Sequence, residues 1–164
     1  MSTVMTTPKL DTFRELLAAF TRKDWEAYKA RLAPDAVYEE TATHLRFSGP
    51  EEIVEWLRAW TTAFPDVRAT VMSTTESPNE IMAEVAWEGT HSGPLAVPMG
   101  TIPPTGKVGN LRAVLVNVFA GDRVREIRHY FDLMDLLGQL GVTPGAAVAE
   151  AEVEAAAVQG AAPS

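Results

Sequence analysis

VNVFAGDRVREIRHYFDLMDLLGQLG, residues 116–141, carries the change of period on which the fold turns. Leu111 to Phe119 is a very apolar run of strand character. Ala120-Gly121-Asp122 predicts a tight hairpin, and Val124 to Phe131 returns as the last strand. From Leu133 to Leu140 the apolar spacing becomes helical, and Gly141 with Pro144 beyond it ends that helix. Asp132 stands at the joint between strand and helix, in an otherwise apolar run. Two readings fit it. The carboxylate caps the helix by accepting a first-turn N–H, with Asp135 at a capping-box-like spacing, or it is the acid–base group of a site.

Working outward, the N-terminal half reads as helices. Thr7-Pro8 is an N-cap followed by a first-turn proline, and Leu10, Phe13, Leu16, Leu17 and Phe20 recur at helical spacing. Asp24 caps a second helix with Trp25, Tyr28 and Leu32 on one face, stopped by Pro34. Ala36 to Glu40 is a short strand. Gly49-Pro50 opens a third helix with the stripe Ile53, Leu57, Trp60 and Phe64. After Pro65 the period becomes two: Val67, Ala69 and Val71 alternate with polar neighbours, Ser77 to Glu80 is a turn, and Ile81 to His91 is a long strand. A Gly- and Pro-rich loop spans 93–106. The order α-α-β-α-β-β-β-β-α predicts an α+β fold, in which a curved antiparallel sheet curls over the early helices into a cone. Residues 8–145 are expected to form a single domain, and 146–164, Ala-rich and without aromatics, a tail outside it.

Composition narrows the function. With 46% hydrophobic and 22% charged residues the chain is ordinarily globular. A net charge of −8 argues against nucleic acid and anionic membrane surfaces as partners. Cysteine is absent, which excludes disulfides and thiolate metal sites and fits a cytoplasmic location. The N-terminal residues lack the apolar core of a signal peptide. Histidines at 44, 91 and 129 match no familiar metal spacing, so no metal is expected. The phrases SGPEE and PPTGK lack nucleotide-binding spacing, and GTHSG is not a nucleophile elbow.

Several phrases, in this order and spacing, resemble the SnoaL-like polyketide cyclase family of the nuclear-transport-factor-2-like superfamily. They are APDAVYEE (33–40), FSGPEEI (47–53), AFPDV (63–67), WEGTHSG (87–93), IPPTGK (102–107), the hairpin and strand of 116–132, and LLGQLG (136–141). The resemblance covers residues 10 to 145. It implies a cone-shaped, usually dimeric protein without a cofactor. It also implies ring closure of a polyketide by intramolecular aldol condensation, with the carboxylate at the Asp132 position as acid–base. Some cyclases add a histidine on the preceding strand. Residues 111–120 here carry none, and Asn117 is their only amide.

Strand alternation places Glu126, Arg128, Tyr130 and Asp132 on one face, and Arg125, Ile127, His129 and Phe131 on the other. The first set reads as a pocket face in which Arg128 holds Asp132 ionised. The second reads as surface or dimer interface. His91, on the same strand face as Trp87, is a candidate to hydrogen-bond an enolate oxygen or a water at the rim, or else an exposed turn histidine. Asn117, Tyr130 and Tyr38 are candidate polar contacts. Trp56, Trp60 and Trp87, with Met72, Met82, Met99 and Met134, are candidates to wall a flat ligand, although aromatics at helical spacing are more often core. His44 is placed at the mouth. Three activities fit: a cofactor-free cyclase or isomerase acting on an apolar polycyclic ketone, a binder of small hydrophobic ligands, and an epoxide hydrolase or dehydratase.

Overall fold

The computed structural model of the protein describes residues 5–142. The 146–164 tail expected from composition lies outside them. In chain order the elements are α1 (Pro8–Arg22), α2 (Trp25–Ala30), β1 (Leu32–Glu40), β2 (Leu45–Ser48), α3 (Pro50–Ala63), β3 (Arg68–Glu76), β4 (Glu80–Thr90), β5 (Leu95–Val97), β6 (Gly100–Ile102), β7 (Val108–Ala120), β8 (Arg123–Phe131) and α4 (Leu133–Gln139).

Local chemistry sets the helix starts. The Thr7 hydroxyl accepts from Leu10 N at 3.2 Å, and the Asp24 carboxylate accepts from Ala27 N at 3.1 Å. Each satisfies a first-turn donor that the helix itself leaves open. Three expectations are corrected. Leu45–Ser48, read as a connection, is a strand that pairs with β1. The Gly- and Pro-rich loop contains the two-stranded ribbon β5–β6. The third correction is that β1 begins at Leu32 and runs through Pro34. The proline is tolerated because the ladder with β8 is interrupted between Leu32 and Val37, where no N–H is called for.

Six strands form one sheet in the order β2-β1-β8-β7-β4-β3. Its pairs are antiparallel except β1–β8, which is parallel. Register shifts in β1–β8, β3–β4 and β7–β8 bend it around the helices. The concave face buries Ile81, Ala83 and Val85 of β4 and Leu115 and Phe119 of β7 against Phe13, Leu16 and Phe20 of α1 and Ile53 and Leu57 of α3. A second cluster joins the end of α3 to β5, β6 and α4 through Phe64, Leu95, Ile102, Leu136 and Leu137. Trp60, Val67 and Trp87 pack on both clusters.

Two backbone features shape the seam between the clusters. Gly89 and Gly109 are register partners in β4 and β7, and a Cβ on either would crowd Phe64 (3.1 Å) or Leu136 (2.9 Å). Beyond the end of β8, the side-chain amide of Gln139 takes over its pairing role. It accepts from Asn110 N and donates to Asn110 O, both at 2.7 Å, and so pins α4 to β7.

Candidate functional site

At this seam the sheet and helices enclose a cavity. Its wall includes Phe13, Leu16 and Phe20 from α1, Trp60 and Phe64 from α3, and Trp87, Leu111 and Leu115 from the sheet. The space open to the centre of a water molecule is about 90 Å³. That is room for roughly six waters at about 15 Å³ each. Tyr28, Tyr38, Asn117 and His129 add polar atoms to this wall, as do the indoles of Trp60 and Trp87. The carboxylate of Glu88, whose residue also borders the cavity, is half-exposed and paired with Arg68 at 2.6 Å.

The structure therefore unites four of the residues singled out in the sequence: Tyr38, Trp60, Trp87 and Asn117. It adds His129, and here the face assignment of β8 is corrected. Val124, Ile127 and His129 are buried on the concave side, whereas Tyr130 is 43% exposed on the convex side. Arg128 bonds Glu126 at 2.8 Å, and that partner holds its guanidinium pKa up. The face rich in Glu, Arg and Tyr is polar because it meets solvent. The alternation itself carried the right signal, since His129 is in phase with Ile127.

His129 is 8% exposed. Its Nδ1 lies 3.0 Å from the Tyr38 hydroxyl, and its Nε2 is buried with no partner among the described residues. Burial depresses the imidazole pKa to about 3 and raises that of the Tyr38 phenol well above its ordinary value, so both are neutral near pH 7. The His129 ring packs on Trp87 and Phe131, with centroids 6.2 and 4.9 Å apart. The indole Nε1 of Trp87 is also buried and unpartnered. Asn117 is 2% exposed, and its amide makes one long bond, 3.5 Å to Ile81 O.

Asp132 lies elsewhere. It is exposed, and its Oδ1 accepts from Asp135 N at 3.0 Å as the N-cap of α4. It borders an open depression on the outside of the molecule, of about 690 Å³, with His44, Met99, Tyr130, Phe131 and Met134. Phe131 stands between the two spaces, packed on His129 and on Trp60. The desolvated, Arg-paired carboxylate expected at Asp132 does not form. Asp132→Ala is expected to cost about 1 kcal/mol through the lost cap and Asp132→Asn only a few tenths, as urea unfolding of the two variants would show.

His91 is neither a rim group nor an exposed turn residue. It is fully buried outside the cavity wall, stacked near Phe64 (centroids 5.4 Å), and its Nδ1 accepts from Thr105 N at 3.3 Å. It anchors the 93–106 loop, and burial lowers its pKa. Met72, Met82 and Met134 are about half exposed, and none of them lines the enclosed cavity.

Glu40 was missed altogether. It is fully buried, with Oε2 accepting from the indoles of Trp56 and Trp60, both at 2.9 Å, and Oε1 from the Thr43 hydroxyl at 2.9 Å. Burial raises its pKa, and the three donors offset part of that rise. The signal was available: Glu40 is in phase with inward-facing Tyr38 along β1. Among the described residues, no group of three or more His, Asp or Glu side chains is disposed to hold a metal ion, and no helix is long and apolar enough to cross a membrane.

Comparison with known proteins agrees with this architecture. The model of the SnoaL-like polyketide cyclase family matches residues 11–140. Among solved structures, a putative SnoaL-like polyketide cyclase from Jannaschia sp. CCS1 superposes with a TM-score of 0.75 at 17% identity, covering 88% of this chain and 99% of that one. IdmH, a putative polyketide cyclase from Streptomyces antibioticus, gives 0.70 at 26% identity, over 84% and 100%. An epoxide hydrolase of the LEH-like type from M. tuberculosis gives 0.64 at 18% identity, over 82% and 90%. No curated protein matches the chain.

Proposed function

The chain belongs to the SnoaL-like polyketide cyclase family, and on that premise we propose that it is a cyclase-type enzyme acting on an apolar, polyketide-like ketone. The observation that carries this reading is the cavity: an aromatic and aliphatic wall with a few hydrogen-bonding groups, all neutral. Its size favours one or two fused rings inside the cavity over a longer polycycle.

In this reading the substrate's carbonyl end lies among Trp87, Asn117 and His129, and its reacting carbon reaches past Phe131 toward Asp132. The Asp132 carboxylate takes a proton from this reacting carbon, which is conjugated through the ring to the inner carbonyl, so that the charge spreads inward to its oxygen. The resulting carbanion adds to a second carbonyl carbon of the same chain, and the new alkoxide is protonated by the Asp132 acid. Holding the chain folded supplies the proximity that ring closure needs. Trp60, fixed by Glu40, stacks on the ring. No cofactor enters this scheme. A homodimer formed through the convex sheet face, around the exposed Met82 and Tyr130, belongs to the same reading.

A second reading has a specific observation in its favour. No unpaired carboxylate side chain lines the cavity among the described residues, which suits a binder of small hydrophobic ligands without turnover. Epoxide hydrolysis gains less support. The water-holding set of Asp132, Arg128, Asn117 and Tyr130 is split between the concave face, the convex face and the open depression.

Asp132→Asn separates the first two readings, because asparagine caps a helix as well as aspartate does. The enzyme reading expects a fall of about 100-fold or more in turnover of a polyketide-like ketone, with folding unchanged. Full turnover in the variant would remove Asp132 from the chemistry. An absence of turnover in the wild type, with ligands still bound, would favour the binder.

A further inference from the structure

The hydrogen-bonding pattern around Tyr38 fixes which nitrogen of His129 carries the proton. The Tyr38 phenol is 3% exposed, and among the described residues its one hydrogen-bond partner is His129 Nδ1. Were Nδ1 protonated, it would donate to the phenol oxygen. Two groups would then be stranded in the interior: the phenol hydrogen and the Nε2 lone pair. With Nδ1 accepting, the phenol is satisfied and one group alone is left, an N–H at Nε2. Each stranded buried polar group is costly, so the second arrangement prevails.

Trp87 contributes another N–H, and it too is buried without a partner. Both rings line the same cavity and sit edge to face, with centroids 6.2 Å apart. Buried polar atoms without partners are rare, and two donors on neighbouring rings in one cavity call for a shared acceptor.

We infer that His129 Nε2–H and Trp87 Nε1–H together form a cradle for a single oxygen of the ligand, a ketone or phenol oxygen on a flat ring system. His129 is then a hydrogen-bond donor to a developing enolate and takes no proton from carbon. Tyr38 is a positioning residue that holds the imidazole in the donating tautomer. This specifies the ligand: an apolar system of one or two fused rings bearing an oxygen acceptor at its inner end, and no charge. The inference rests on the cavity being the ligand site proposed above.

The test uses 1-indanone labelled with ¹³C at its carbonyl, and indane, its hydrocarbon counterpart, on the full chain. The cradle predicts tighter binding of indanone by about tenfold, the worth of one to two net hydrogen bonds. The bound carbonyl stretch shifts to lower frequency. Trp87→Phe, which keeps an aromatic ring and removes the N–H, cuts the preference to about threefold and reverses part of the shift. ¹⁵N NMR of the unliganded wild type shows His129 with Nε2 protonated, and Tyr38→Phe releases that tautomer into a mixture. An Nδ1–H tautomer in the wild type overturns the inference whether or not any variant folds. Equal binding of indanone and indane overturns it as well, and assigns the donors to water. Failure of both molecules to bind would sink the cavity as ligand site, and with it the cradle.

Discussion

Glu40→Ala loses about 3 kcal/mol of stability, roughly 10 °C in the thermal midpoint, although it removes a buried negative charge. The reason lies in what the carboxylate leaves behind. Trp56 and Trp60 both donate to Oε2, and alanine leaves two indole N–H groups without their acceptor, while the Thr43 hydroxyl keeps only its 3.3 Å bond to Glu40 O. Glu40→Gln behaves oppositely. Its carbonyl oxygen accepts from both indoles and its amide donates to the Thr43 oxygen, so every bond survives without the cost of burying a charge. At neutral pH that variant equals or exceeds the wild type. The sign of the pH dependence follows from the raised pKa of Glu40. The folded chain holds a proton there that the unfolded chain has released, so this group's contribution is most favourable below the unfolded value and is lost as pH rises through the folded one. Thermal unfolding of the three proteins between pH 4 and 8 checks the ordering. A Glu40→Ala protein as stable as the wild type would show that the indoles find other acceptors.

The acid limb of stability carries the second large effect, and its direction is the reverse. His129 has its pKa depressed to about 3 by burial alone. Below about pH 6.5 the unfolded chain takes up a proton at this histidine, whereas the folded chain does not until about pH 3. Stability therefore falls as pH drops through that window, by up to about 1.4 kcal/mol per pH unit from this one group. His91, also lowered by burial, adds in the same sense. Glu40 opposes them over the lower part of the range. His129→Gln removes the largest of these contributions, so its urea midpoint changes less between pH 6.5 and 4 than that of the wild type. Identical slopes for the two proteins would mean that His129 is protonated in the folded state and would contradict its dry environment.

Most of the architecture was legible in the sequence because it is written in periodicity and punctuation. Thr7-Pro8, Asp24 and Gly49-Pro50 open helices where they stand, and Ile81 to His91 keeps one buried face throughout. The strands missed were short. Leu45–Ser48 and the β5–β6 ribbon span four residues or fewer each, too little for alternation to register against Gly and Pro. The site was harder to read. Asp132 could be identified as a cap, but the polar face of β8 looked like a pocket because polarity alone does not distinguish solvent from a lined cavity. His129 looked like surface because a lone imidazole beside Ile127 and Phe131 carries no mark of the tyrosine that meets it from β1. Such a pairing depends on two strands far apart in the chain lying side by side, Glu40 opposite His129 in register. Only the parallel β1–β8 alignment reveals it.

The Gln139 clamp has a consequence for the protein's life at high concentration. Where β8 stops, β7 continues toward Val108 with no strand of the described residues beside it, and an open edge is a template on which strands of other molecules can pair. A single amide, held from the far side by Asp135 at 3.0 Å, occupies the Asn110 position on that edge and imitates the peptide group of the strand that is missing. The side chain that fastens the last helix is thereby also a guard against self-association, and solubility joins helix docking among the properties resting on one glutamine.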